Sequence, residues 1–308
     1  MTSGKINSSH RIIFFGTEDF SAASLRALIA AGFSVAAVVT KPDSKKGRGH
    51  KTVPPIVKTI AQEHDIPVWQ PQKLRDITED IKQLQPVTGV LVSFGKIIPQ
   101  STIDLFTPGI INVHPSPLPK YRGPSPIESA ILNGDETTGV SIMQLSAAMD
   151  AGPVYSFVSH PLTGTETQPE LYETLSKVGA DELVSVLPSI ITGELSPTPQ
   201  DESAGTYCRL IKKQDGVIDW NKPADQIERE IRAYKGWPGS RTALGDVDVI
   251  ITKASVVECV GLSIEGKTPD HLSMRCGDGW CLDIESIKPV GKKEMPIQAF
   301  LAGYKDRL

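Results

Sequence analysis

Short apolar runs alternate with amphipathic stretches through the first half of the chain, and this rhythm limits the possible folds more than any other feature. Residues 12–15 read as a buried strand stopped by Gly16. Asp19 is placed to cap a helix whose apolar face includes Phe20, Leu25 and Leu28. A strand over 35–39 follows. A helix over 52–64 comes next, with Pro54 and Pro55 near its start, where a missing N–H costs least. A further helix from Leu74 to Leu84 leads into a strand over 87–94. Strands joined by helices bury both faces of a parallel sheet, so the pattern predicts an α/β layer whose ligands bind beyond the carboxyl ends of its strands.

The layer continues with strands over 110–114, 140–145 and 154–158 and a helix around 127–132. Thr167 and Glu170 make a capping box for a covering helix that carries Leu171, Leu175, Val178, Leu183 and Leu187. Pro188 or Gly193 ends that helix. The stretch GELSPTPQDESAG, residues 193–205, is the best linker candidate. After a helix over 223–234 the pattern changes to short β-rich runs at 247–251, 255–259, 271–275 and 281–287, which predict a small antiparallel barrel or sandwich. The expected organisation is a catalytic domain over 1–192, a linker over 193–208 and a C-terminal β domain over 209–308.

A net charge of −4 over 308 residues with 39% hydrophobic content fits a folded protein that does not span a membrane. The start has no apolar stretch of signal-peptide length, so a cytoplasmic location is expected. Cys208, Cys259, Cys276 and Cys281 contain no CxxC pair, which argues against a zinc site and for reduced thiols. Trp220 and Trp237 read as core or interdomain packing. Gly16 follows the first strand, but GxGxxG is missing there and a dinucleotide site is a poor reading.

Candidate chemistry concentrates in residues 111–152. Asn112 and His114 are two apart on a strand and leave by one face while Val113 points to the other. Pro115, Pro117 and Pro119 then stiffen the chain. A second apolar run ends near Asp150, beside Ala151 and Gly152. An amide, an imidazole and a carboxylate together can activate an amine and steady an oxygen that turns negative at a carbonyl carbon. Each residue also has a plain structural role: strand-end Asn and His satisfy turns, and Asp before small residues caps them.

The segments NVHPSPLPKYRGPSP and ILNGDETTGVSIMQLSAAMDAG resemble the active-site signature of the 10-formyltetrahydrofolate-dependent formyltransferases. The likeness extends through FFGTEDFSAASL, TKPDSKKGRGHKTVPPIVK, LVSFGKIIP and on to KGWPGS, and is weakest over 240–308. It implies a Rossmann-like formyltransferase domain followed by a small, OB-like β-barrel. Asn112, His114 and Asp150 match the family's catalytic trio. Ser116, Pro117, Leu118 and Pro119 match a folate-seating segment, with Pro117 where the family more often has leucine. Phe94, Gly95 and Met143 lie where the family lines its pterin pocket. The resemblance implies 10-formyltetrahydrofolate as cosubstrate without a metal and methionyl initiator tRNA as acceptor; a monomer is expected.

By the same resemblance the loop over 41–51 matches an insertion with which the family grips the acceptor stem, Arg48 resembling its key contact. Lys41 opens it, and Lys45, Lys46 and Lys51 can attract phosphate, although taken alone such a basic run reads equally as a solvated mobile loop. Lys212, Lys213, Arg232, Lys235, Arg241, Lys292 and Lys293 are candidates for a further RNA-facing surface. Ordinary solvated cations explain them equally well. Two other functions remain open: formylation of a small amine such as a nucleotide-linked amino sugar, and an RNA-binding protein without catalysis. The 41–51 loop and the second domain argue against the first, and the intact trio argues against the second.

Overall fold

The first strand, β1 (Arg11–Gly16), is buried on both faces through Ile12, Ile13, Phe14 and Phe15, which marks the centre of a helix-covered sheet. The computed structural model describes residues 10–46, 51–259, 265–268 and 271–307. Beyond β1 come α1 (Phe20–Ala30), β2 (Ser34–Val39), β3 (Ser44–Lys46), β4 (Lys51–Val53), α2 (Ile56–Glu63), β5 (Val68–Trp69), α3 (Thr78–Gln83), β6 (Val87–Val92), α4 (Gln100–Ile103) and β7 (Ile110–His114). They are followed by α5 (Pro126–Asn133), β8 (Thr137–Gln144), β9 (Val154–Pro161) and α6 (Gln168–Thr192).

The main sheet has the order β5-β2-β1-β6-β7-β8-β9. Pairing is parallel from β5 to β7 and turns antiparallel between β7 and β8. The chain winds outward on one side of β1 and then crosses to β6 on the other. Such a reversal opens a crevice at the carboxyl ends of β1 and β6. Below it, Phe15 meets Phe94 and Phe106 edge to face at 5.6 and 5.7 Å. On one face of the sheet α6 approaches closely at Gly179, where a Cβ would lie 2.7 Å from Val113 Cγ1.

Several local expectations are corrected. Residues 52–55 do not open a helix: β4 pairs with β3 as a separate hairpin, and α2 begins only at Ile56. The reason lies in Pro54 and Pro55, each of which drives the residue before it into extended backbone. Asp19 has helical backbone angles and makes no side-chain cap. The first turn instead closes on the Glu18 carbonyl, which accepts from the Ser21 N–H at 2.9 Å. Of the two stops expected for the covering helix, Gly193 is the one observed: Pro188 lies inside α6, and the helix runs to Thr192 before Gly193 at φ +77. Burial of Leu187 and Ile190 on either side holds the helix through the proline. At its start, the Thr167 N–H and hydroxyl donate to Glu170 at 2.9 and 2.6 Å, as the capping pattern predicts.

The chain forms two units, and they are not two contiguous halves. The first comprises the residues up to Gly123 with Thr138–Pro161 and Tyr172–Tyr207; the second takes Pro124–Thr137, Leu162–Leu171 and the chain from Cys208 onward. The second unit contains α7 (Ala224–Ala233), β10 (Ser240–Leu244), β11 (Val247–Val257), β12 (Glu265–Thr268), β13 (His271–Arg275), β14 (Cys281–Pro289), β15 (Met295–Pro296) and α8 (Ile297–Gly303). Its sheet is antiparallel in the order β10-β11-β14-β13-β12, with β15 also on β14. Ile227, Ile231, Val249, Ile251, Leu282, Ile284, Ile287 and Phe300 form its core.

The runs over 247–251 and 255–259 are not separate strands. Residues 247–257 form one strand whose register against β14 shifts around Lys253, the mark of a bulge. The cysteine expectation also changes. Cys259 and Cys281 are joined by a disulfide with Cα atoms 5.3 Å apart, a pairing that only the adjacency of β11 and β14 brings within reach. Cys276 is a free, buried thiol pushed up to about 11 by its burial. Trp220 packs on the second unit's core, whereas Trp237 is largely exposed and does not fill a core.

Strands β8 and β9 approach closely at Gly139, where a Cβ would sit 2.1 Å from the Val158 carbonyl oxygen. Backbone cannot yield as a flexible side chain does. Gly139→Ala should therefore cost about 1–3 kcal/mol of stability, the usual range for overpacking. Urea unfolding of the two proteins measures it; coincident midpoints would refute the steric reading.

Candidate active site

Strand β7 delivers the first two candidate residues. Asn112 and His114 are each 5% exposed. They lie directly opposite Met143 and Ser141 of β8 in the antiparallel ladder, so all four side chains share one face. Val113 and Ile142 take the other face. The predicted alternation therefore places Asn112, His114 and Met143 together.

His114 Nε2 lies 3.0 Å from the carbonyl oxygen of Tyr121. A carbonyl only accepts, so Nε2 carries a proton and donates it. This leaves Nδ1 facing the carboxylate, with Asp150 Oδ2 at 3.9 Å. That separation suits an ion pair or an intervening small group, and is too long for a direct hydrogen bond. Asp150 Oδ2 also accepts from the Gly123 N–H at 2.9 Å. The site thus brings the expected trio to one place.

The segment after β7 is tightly knotted by its own polar groups. The Ser116 hydroxyl donates to the Lys120 carbonyl at 2.6 Å. Ser141 Oγ donates to the Ser116 carbonyl at 2.7 Å and accepts from the Leu118 N–H at 3.2 Å. Ser116 is fully buried in this role, while Pro117, Leu118 and Pro119 remain half-buried. Those three offer an apolar edge for a flat ring. Phe94 and Met143 offer less: Phe94 is 1% exposed and Met143 fully buried, so both side chains serve as core packing and not as an open lining. At the crevice itself the Thr17 hydroxyl donates to the Phe94 carbonyl at 3.1 Å.

Gly95 has φ +66, and a Cβ there would fall 2.4 Å from Lys41 Nζ. The structure therefore brings an expected RNA residue, Lys41, against an expected folate residue. The Lys41 carbonyl accepts from Gln70 Nε2 at 2.8 Å. Hydrogen bonds from Gln70 and Lys58 also reach Asp43 and hold its carboxyl below the usual carboxylate range. The base of the loop is pinned by these contacts. Lys45 and Lys46 lie on β3 and Lys51 on β4; Arg48 lies outside the described residues. In the second unit Arg232 pairs with Glu228 at 2.7 Å and Arg241 donates to the Lys213 carbonyl, so neither is an uncommitted surface cation.

Sequence reasoning missed the groups behind Asp150. Arg122, 1% exposed, donates to both oxygens of Glu202 at 2.9 Å, to Gln200 Oε1 at 3.0 and 2.8 Å, and to the Tyr207 hydroxyl at 3.2 Å. The Glu202 carboxylate, foremost among these, raises the guanidinium's affinity for its proton. Gln200 and Glu202 belong to the stretch expected to be a linker, which is part of the first unit. An arginine between turn-forming residues in KYRG was the available signal, and its burial is not visible in a single sequence.

Residues 10–187 match the family model for formyl transferase, and residues 210–305 match that for formyl transferase, C-terminal domain. The chain belongs to the formyl transferase family. It is 40% identical over 300 residues to a methionyl-tRNA formyltransferase of Chloroflexus aurantiacus, covering 95% of this chain and 96% of that one. A methionyl-tRNA formyltransferase of Pelobacter propionicus is 39% identical, with 96% and 94% covered. Among solved structures, an N-formyltransferase from Helicobacter canadensis in complex with folinic acid and dTDP-3-aminofucose superposes with a TM-score of 0.68 at 19% identity, over 90% of this chain and 98% of that one. HypX from Aquifex aeolicus in complex with tetrahydrofolic acid gives 0.62 at 18%, over 96% of this chain and 47% of that one. The last two share the fold. This formyl transferase thus combines a parallel-sheet catalytic unit with an antiparallel C-terminal one.

Gly152 permits the approach of Asp150 to the sheet: a Cβ there would lie 1.9 Å from the Gln144 carbonyl oxygen. Gly152→Ala should push the Asp150 turn off β8 and lower formyl transfer by more than about tenfold, since small misplacements of reacting groups are costly. Steady-state assays at matched folded fraction check this; full activity would show that the turn tolerates the shift.

Proposed function

We propose that this enzyme transfers the formyl group of 10-formyltetrahydrofolate to the α-amine of methionyl initiator tRNA, acting as a cytoplasmic monomer. One observation carries the choice of acceptor: identity near 40% to methionyl-tRNA formyltransferases runs through both units and 95% of the chain. A nucleotide-linked amino sugar is favoured by structural neighbours such as the one bound to dTDP-3-aminofucose, and such likeness, at 19% identity, reaches the fold alone. No helix among the described residues is long and apolar enough to cross a membrane.

The donor fits the chemistry of the crevice. Half-buried Pro117, Leu118 and Pro119 provide an apolar wall for a pterin, and left-handed backbone at Ser93 (φ +45) and Gly95 turns the chain just past the carboxyl end of β6. When bound, the folate supplies a formyl carbon and a nitrogen leaving group. The residues of this chain do the rest. Asn112 offers an amide N–H to the formyl oxygen as it gains negative charge. His114, its ring fixed by the Tyr121 carbonyl, presents Nδ1 for proton exchange. The Asp150 carboxylate faces that nitrogen from 3.9 Å, spaced to relay a proton through a small intervening group. Proximity does much of the remaining work, because a held amine meets its carbon as an intramolecular partner.

Lys41, Lys45, Lys46, Arg48 and Lys51 form the basic loop proposed to hold the acceptor stem, and its pinned base at Asp43, Lys58 and Gln70 supports that role. Phe94, Gly95, Ser116 and Met143 shape the folate site from beneath.

Incubation of the purified chain with 10-formyltetrahydrofolate and methionyl initiator tRNA should yield formylmethionyl-tRNA, whereas a dTDP-linked amino sugar should not be formylated. The reverse preference would reject the acceptor. His114→Ala and Asp150→Asn should each lower kcat by about 10²–10⁴-fold, the range for losing general acid–base catalysis, with tRNA binding retained. Arg48→Ala should instead raise KM for tRNA and flatten its salt dependence; an unchanged salt slope would remove Arg48 from the RNA contacts.

A further inference from the structure

Asp150 is a non-glycine residue at φ +48, in the left-handed region that side-chain-bearing residues rarely adopt. Such a conformation persists only where the surroundings over-determine it. Here the Gln200 amide does so from the backbone side. Its Nε2 donates to the Asp150 carbonyl at 2.8 Å and to the Gly152 carbonyl at 2.7 Å, spanning the turn. Gly123 completes the clamp by donating to the carboxylate at 2.9 Å.

The Gln200 amide is itself held in one orientation. Its oxygen accepts from Arg122 Nε and an Arg122 terminal nitrogen at 3.0 and 2.8 Å. Rotated by half a turn, it would set its NH₂ against a guanidinium that only donates and its oxygen against two carbonyls. Arg122 cannot drift either, because the Glu202 carboxylate grips it with two bonds of 2.9 Å and it is 1% exposed. The same stretch of chain fixes the neighbouring backbone: the Arg122 N–H donates to the Thr206 carbonyl at 2.9 Å and the Tyr121 N–H to Thr206 Oγ1 at 2.9 Å. Tyr121 is the residue whose carbonyl orients His114. One strap, residues 200–207, therefore steadies both partners of the His114–Asp150 pair.

We infer that Gln200, oriented by Arg122, is a positioning residue that holds the Asp150 carboxylate against His114. The inference rests on the catalytic reading of Asp150 given above. Gln200 touches no substrate and acts only through the Asp150 turn. Its loss should therefore appear in turnover and leave acceptor binding alone.

The test uses the full chain with methionyl initiator tRNA and 10-formyltetrahydrofolate. Gln200→Leu, which keeps the bulk and removes both donors, should lower kcat by about 10–100-fold while KM for tRNA stays within about twofold. Made in an Asp150→Asn protein, the same change should alter kcat by less than about twofold, because residues acting in one chain do not add. Glu202→Gln loosens Arg122 from an exposed position and should give a smaller drop that again disappears beside Asp150→Asn; it serves if Gln200→Leu fails to fold. Wild-type kcat in Gln200→Leu (in Glu202→Gln, should the first not fold), or equal losses with and without the Asp150 carboxylate, would overturn the inference. If Asp150→Asn alone keeps wild-type kcat, the catalytic reading falls and the positioning role goes with it. If Asp150→Asn is crippled while Gln200→Leu turns over normally, only the positioning role falls.

Discussion

Strand β7 sits where the parallel sheet ends, bonded to β6 on one side and antiparallel to β8 on the other, with all five of its residues buried. Its backbone groups are committed in both directions, so Asn112 and His114 project from a base that cannot shift without breaking two ladders. The rest of the catalytic unit is arranged around that fixed strand. α6 seals the face at Val113, Ser141 ties the loop after β7 to β8, and the Tyr121 carbonyl fixes the imidazole. Rigid support of this kind spares a side chain reorganisation when charge develops beside it, which is what the proposed roles of Asn112 and His114 require.

Asp150 contrasts with His114. It stands on a turn in a conformation its own backbone disfavours, and it depends on contacts from residues 123 and 200. The stretch around Gln200 joins the rest of the first unit at two isolated bridges, Val154 with Thr198 and Arg122 with Tyr207. Proline, glycine and serine make this stretch look like a spacer, yet its polar side chains are what complete the site. Low regular structure and high structural importance coincide here because a strap needs directed hydrogen bonds more than a periodic backbone.

Much of the architecture was legible from residue pattern. Period-two alternation placed Asn112 and His114 on one face, and the β-α-β rhythm predicted a parallel sheet with its ligand edge at the strand carboxyl ends. Local errors arose where two rules competed at one position. Pro54 and Pro55 can begin a helix or extend the residues before them, and the β3–β4 pairing took the second option. Pro188 breaks helices in isolation, but buried Leu187 and Ile190 carry α6 past it. The bulge near Lys253 leaves no clear mark in composition, so one long strand looked like two.

By itself the sequence determined which side chains β7 presents, where the basic loop falls and, through its likeness to known formyltransferases, the class of reaction. These properties follow from local periodicity and from runs of consecutive residues. Only the tertiary structure decided that Asp150 meets His114, that Cys259 joins Cys281, and that Arg122 and Gln200 stand behind the site. Each of those contacts links positions 22 to 78 residues apart. Convergence at that range depends on strand order and on how the chain between is packed, and neither is carried by local periodicity.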